Sequence, residues 1–161
     1  MPDIETTQGH LNAEGKRFAI VASRYNEIIS SRLISGAQDC LLRHGAQAVD
    51  LHLYRVPGSF EIPLVARKIA DGGDFDAVIC LGTIVRGETP HFDFVASEAA
   101  RGVGRAGSES GVPVIFGIVT TDTMDQAVDR AGGRTGNRGA EAALTAIEMA
   151  NLVDTIETSD E

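Results

Sequence analysis

The apolar positions of this chain change their period in a repeating order. "RFAIVAS" (17–23) is a short apolar run, after which Ile29, Leu33, Ala37, Cys40 and Leu41 recur at helical spacing and stop before Gly45. "AVDLHLYRV" (48–56) sets Val49, Leu51 and Leu53 against Asp50, His52 and Tyr54, the alternation of a strand. Pro57-Gly58 turns the chain, and "FEIPLVARKIADGG" reads as a helix with Pro63 in its first turn. "DAVICLGTIV" (76–85) is apolar throughout, as expected of a parallel strand covered on both faces. Phe92, Val95, Ala96, Ala99, Val103 and Ala106 then form one helical stripe, and "VPVIFGIVTT" (112–121) supplies a fourth strand. Two helical segments close the chain, "DTMDQAVDRAGG" and "GNRGAEAALTAIEMANLVDTI", parted at Gly132-Gly133, with Asn137 as N-cap of the second.

Repeated strand–helix units predict a four-stranded parallel sheet between two helical layers, a three-layer α/β/α sandwich. Ligands of such sheets bind beyond the carboxyl ends of the strands. That rule selects four loops: Ser23 to Asn26, Pro57 to Glu61, Thr83 to His91, and Thr120 to Thr123.

Composition narrows the class. At 161 residues, 43% hydrophobic and 23% charged, the chain is expected to form a single domain over 1–161. A net charge of −9 argues against a nucleic-acid partner. Part of that acidity lies in "MPDIETTQG" and "DTIETSDE", so residues 1–15 and 154–161 are expected to be extended or frayed. No apolar stretch is long enough to span a membrane, and the start lacks a basic n-region followed by an apolar h-region. Cys40 and Cys80 have no metal-ligand neighbour at CxxC spacing and read as buried reduced thiols, which fits a cytoplasmic setting.

The chemistry concentrates in "GTIVRGETPHFDFV" (82–95). Thr89 suits an N-cap and Pro90 a first helical position, which puts His91 in the first turn. Free backbone N–H groups and the positive end of the helix dipole favour an anion there, beside an imidazole able to move a proton. A histidine satisfied by its own backbone is the plain alternative. Arg130 sits before Gly132-Gly133, with Arg134 and Arg138 behind it; cations near a helix end are common, and a phosphate clamp requires that end to approach an anion. His10, His44 and His52 read as structural. "GVGRAG" (102–107) matches GxGxxG, but it lies late in a helical pattern, so the glycines are expected to admit a close neighbour instead of a dinucleotide.

Taken together, "VPGSFEIP" (56–63), "GTIVRGETPHFDFV" (82–95), "FGIVTTDT" (116–123), "DRAG" (129–132) and "GNRGAEAALTAIEMAN" (136–151) resemble the lumazine synthase family, from about Phe18 to Val153. The resemblance implies a flavodoxin-like fold whose N-terminal segment adds a strand to a neighbouring subunit. It implies condensation of 5-amino-6-ribitylamino-uracil with 3,4-dihydroxy-2-butanone 4-phosphate, without a cofactor or metal. His91 matches the family's acid/base histidine, and Arg130 the arginine that holds the substrate phosphate near Glu88 and Thr89. Tyr25 stands where an aromatic residue stacks on the heterocycle. Ser59, Phe60 and Glu61 would meet the ribityl chain, and Thr83, Ile84 and Val85 the ring through backbone groups.

Phe116 and Arg130 would reach the site from an adjacent subunit, since the family's sites lie between protomers of a homopentamer. Pentamer, decamer and sixty-subunit shell stay open, as does riboflavin synthase as a partner. Tyr25 departs from the more usual Phe by a hydroxyl that bears on affinity for the heterocycle, and Arg134 and Arg138 from Lys in many relatives, a change that bears on assembly and charge steering. The rival readings are a flavin-binding or shell-forming relative without catalysis, and a flavodoxin-like electron carrier. The pairing of His91 with Arg130 favours the enzyme.

Overall fold

The computed structural model describes residues 3–159, so of the ends expected to be extended or frayed, 1–15 and 154–161, residues 1, 2, 160 and 161 lie outside the described range. Four parallel strands form the sheet: β1 (Phe18–Ser23), β2 (Leu51–Val56), β3 (Ala77–Val85) and β4 (Val114–Thr121), in the order β2-β1-β3-β4. β1 pairs with β3 from Phe18↔Ala77 to Ala22↔Leu81, and β3 with β4 from Val78↔Val114 to Val85↔Thr121. The unbroken apolar run of β3 has its reason in this order: it is interior, and Ala77 to Ile84 are all buried. β2 is an edge strand, and its alternation does not sort inside from outside as expected: Leu53 is exposed while Tyr54 packs against the core. Val49 drops out of it into a short 3-10 turn, Ala48–Asp50.

Five helices connect and cover the strands: α1 (Glu27–Arg43), α2 (Ile62–Gly72), α3 (His91–Ser110), α4 (Met124–Arg130) and α5 (Arg138–Ser159). Alternate residues of the strands divide the core in two. Phe18, Ile20, Ile79, Leu81 and Val119 pack with Leu33 and Leu41 of α1 and Ala143 and Ile147 of α5. Ala19, Val21, Val78, Cys80 and Ile118 pack with Ile62 and Ala66 of α2 and Ala99 and Val103 of α3. The α1–α5 contact is close because Gly139 faces Leu33: a Cβ there would lie 2.0 Å from the Leu33 carbonyl oxygen. Asn137 completes this contact, accepting from the Ala140 N–H as a true N-cap (3.1 Å) while its amide donates to the Arg32 carbonyl (3.1 Å).

Three details differ from the sequence reading. The break at Gly132-Gly133 is a small antiparallel hairpin, β5 (Ala131–Gly133) with β6 (Gly136–Asn137), where Gly132 and Gly136 take positive φ. α5 continues to Ser159, so residues 154–159 are helical and not frayed. The N-terminal segment has no regular structure but is anchored on α5. Asn151 donates to the carbonyls of His10 (2.7 Å) and Asn12 (2.9 Å), Ala13 is fully buried, and Gly9 lies so close to the Glu148 carbonyl that no side chain fits. Acidic composition concealed this docking, because backbone carbonyls make it.

In "GVGRAG", only Gly102 has a tight neighbour, the Pro63 ring of α2. Gly104 faces open space. Both thiols are buried and free, and burial pushes Cys80 up to about 12. No described helix is long and apolar enough to cross a membrane.

Candidate active site

Three of the four loops selected by the carboxyl-end rule converge on one cavity of about 680 Å³. Tyr25 comes from the turn after β1, held where the Arg24 and Tyr25 N–H groups donate to the Val56 and Pro57 carbonyls (2.8 and 3.2 Å). Asn26 next to it takes a left-handed conformation that closes the turn before α1, and Tyr25 stands exposed at the mouth. Ser59, Phe60 and Glu61 form a 3-10 turn after Pro57-Gly58, and Pro63 then starts α2 as expected. Thr83, Ile84 and Val85 end β3 and form the inner wall.

Gly82 makes the floor possible. A Cβ there would lie 2.6 Å from the Ser59 hydroxyl and 3.0 Å from that of Ser23. Both hydroxyls and that of Thr83 are buried, and among the described residues they have no hydrogen-bond partner. Each such group costs about 1–3 kcal/mol when left unpaired. A polar ligand or ordered water is the natural complement of this floor.

His91 opens α3 at the rim. The helix starts one residue later than the sequence reading placed it: Pro90 takes the cap position, and the Thr89 hydroxyl accepts from the His91 N–H at 3.4 Å. The N–H groups of Gly87, Glu88 and Thr89 enter none of the hydrogen bonds among the described residues, while that of Asp93 is used by the Pro90 carbonyl (3.1 Å). The N–H groups left free to meet an anion therefore lie in the loop before the helix as much as in its first turn.

Phe92, Phe94 and Val95 also line the cavity. Phe92 and Val95 had read as core stripe; Phe94, outside that stripe and strongly exposed, carried a signal of its own as a large apolar side chain on a polar face.

Three predicted site residues lie elsewhere. Glu88 is in the loop but not in the cavity wall. Phe116, on edge strand β4, is 40% exposed and so is not a core phenylalanine, yet it pairs with Cys80, well before the strand end where the cavity lies. Arg130 ends α4, partly buried, outside the cavity and in none of the ion pairs among the described residues. A second, shallower hollow of about 650 Å³ lies between α1 and the β5–β6 hairpin, beside Arg32 and Asn137. It holds none of the predicted site residues.

With the geometry in view, similarity to known proteins can be added. A family model for 6,7-dimethyl-8-ribityllumazine synthase matches residues 15–154, nearly the whole chain. The chain belongs to the lumazine synthase family. It is 55% identical over 146 residues to the 6,7-dimethyl-8-ribityllumazine synthase of Desulfosudis oleivorans, covering 91% of this chain and 93% of that protein. The matched span contains every element that forms the cavity, from β1 to α3.

Proposed function

We propose that this protein is a lumazine synthase. It condenses 5-amino-6-(D-ribitylamino)uracil with 3,4-dihydroxy-2-butanone 4-phosphate, yielding 6,7-dimethyl-8-ribityllumazine, phosphate and water in riboflavin biosynthesis. Beyond family membership, the observation that carries this reading is His91 at the rim of a cavity whose approach loop offers unused N–H groups. One substrate brings a phosphate, and the chemistry needs a proton carrier beside it. Two carbon–nitrogen condensations, each releasing one water, and one phosphate elimination balance between the two substrates, so no redox partner is needed.

In this reading Tyr25 stacks on the pyrimidine, and Ser59, Glu61 and Thr83 meet the polyhydroxy chain and ring edge. Of the unpaired hydroxyls, those of Ser59 and Thr83 belong to residues of the cavity wall and gain partners when that chain enters. His91 takes the proton whose removal from the carbon beside the imine expels phosphate. Much of the rate comes from holding amine and ketone in register, since the two react readily once oriented.

Arg130 and Phe116 act on the site of an adjacent copy in a homo-oligomeric ring. What supports this is that both stand outside the cavity of their own protomer, one as an unpaired guanidinium and the other as an exposed aromatic ring. Mixing the separately impaired variants His91→Ala and Arg130→Ala, assayed with the phosphorylated ketone well below its KM, tests it. Co-assembled from equal amounts, a ring in which each site takes one residue from each of two neighbours regains about a quarter of its sites. Lumazine fluorescence returning on mixing supports shared sites. Mixed rings no more active than the separate variants would refute them.

A further inference from the structure

We infer that Arg86, which stands outside the cavity wall, is a positioning residue that sets His91 and Arg130 together. The inference rests on the function proposed above and deepens it. The Arg86 backbone N–H donates to the Thr121 carbonyl (2.9 Å), carrying the β3–β4 pairing one residue past the strand. Its side chain then turns two ways. Nε donates to Asp122 Oδ1 at 2.8 Å, and Nη1 reaches Asp93 Oδ1 at 3.5 Å, while the guanidinium carbon sits 4.3 Å above the Phe92 ring centre.

The first set of contacts concerns α3. Phe92 and Asp93 directly follow His91, so one planar group holds the turn that carries the imidazole. It also spans the loop of the anion seat, whose residues 87–90 otherwise have few ties: Thr89 Oγ1 to the His91 N–H, and the Pro90 carbonyl to Asp93. The second set concerns α4. Asp122 stands directly before the capping box in which Thr123 and Gln126 bond reciprocally, and Gln126 Oε1 also accepts from the Asp122 N–H (2.9 Å). This short helix ends at Arg130. Arg86 therefore links the turn that serves its own site to the helix that serves the next one. Asp122, and with it Asp93, keeps the guanidinium firmly charged.

Lysine is no substitute. A point charge on a flexible stem can pair with one carboxylate, but it lacks the planar fork that spans two and the flat face that stacks on a ring. Exposed ion pairs of this kind contribute little to stability, so removing this one should leave folding nearly intact and show in the geometry of the site.

The test is steady-state kinetics on Arg86→Ala and Arg86→Lys in the intact oligomer. In the alanine variant kcat/KM for the phosphorylated ketone should fall on the order of 10- to 100-fold, through a lower kcat from the misplaced His91 together with a higher KM for this substrate from the misplaced Arg130. The KM of the pyrimidine and the thermal midpoint should scarcely move, and lysine should restore only part of the loss. Wild-type kinetics in the alanine variant, full rescue by lysine, or an equal loss for both substrates with a lowered midpoint would each overturn the inference. If Arg86→Ala does not fold, Asp122→Asn takes its place. A selective rise in the same KM supports the link, and an unchanged KM refutes it.

A wild-type protein that forms no lumazine from the two substrates would sink the functional reading alone. Amide hydrogen exchange would then decide the claim about Arg86, with 86–93 and 122–130 both exchanging faster in a folded variant. No change in either segment rejects it.

Discussion

The two faces of the sheet are finished to different degrees. Against α1 and α5 the strands meet a closed interior, where Gly139 lies on Leu33, Gly36 on Asn137, and the N-terminal segment is tied down by Asn151. Against α2 and α3 the same sheet buries Val21, Val78 and Cys80, but leaves Phe60, Leu64, Phe94 and Phe116 between 40% and 71% exposed. The first face carries the closest backbone approaches, although Ile28 and Leu42 of α1 and Ile156 of α5 are exposed there too. The second carries the cavity at its end and an apolar surface that a single chain does not cover. Stability and chemistry are thus concentrated on opposite sides, and substitutions should separate them.

The largest effect is expected where packing is closest. Gly139→Ala forces a methyl group into the Leu33 carbonyl and should destabilise the fold by about 3 kcal/mol or more, read as a lower unfolding midpoint in urea. A midpoint equal to the wild type would show that the α1–α5 contact gives way easily, and the contrast between the faces would fail. On the other side, His91→Ala should lower kcat on the order of 100-fold with the midpoint unchanged, leaving residual turnover because positioning survives. Complete inactivity with substrates still bound would contradict that division of labour.

Arg130→Ala should act more gently, raising the KM of the phosphorylated ketone by roughly 10-fold, as expected for one lost charge-assisted contact. Equal Michaelis constants would remove Arg130 from the site. Smallest for the isolated chain is Leu64→Ser on α2. At 64% exposed it should change stability by less than about 0.5 kcal/mol, yet weaken association measured by sedimentation. An unaltered assembly would mean that this apolar surface lies outside any contact between copies.

The residues of the cavity were legible in the sequence to different extents, for physical reasons. Strand β3 could be read from its unbroken apolar run, because a strand buried on both faces has no room for polar side chains. Tyr25, Ser59 and His91 could be placed together because chain topology puts the ends of parallel strands side by side. Gly82 could not be singled out. A glycine in a strand looks the same whether it relieves a twist or, as here, makes room for two hydroxyls. Ser23 lay in a selected loop, but only packing revealed its hydroxyl as buried and unpaired. The role of Arg86 was equally hidden, since its partners lie 7 and 36 residues away and charge patterns do not encode such approaches.

By itself, the amino-acid order determined the alternation of strand and helix, the parallel sheet, the start of α3 to within one residue, and the cap at Asn137. Each is set by period, by backbone restriction or by a hydrogen bond within a few residues, and such local terms are written along the chain. The tertiary structure alone decided the pairing of Arg86 with Asp122, the docking of the N-terminal segment on α5, the hairpin at Gly132, and which hydroxyls were left without partners. These depend on distances between segments far apart in sequence, fixed only when the layers close on one another.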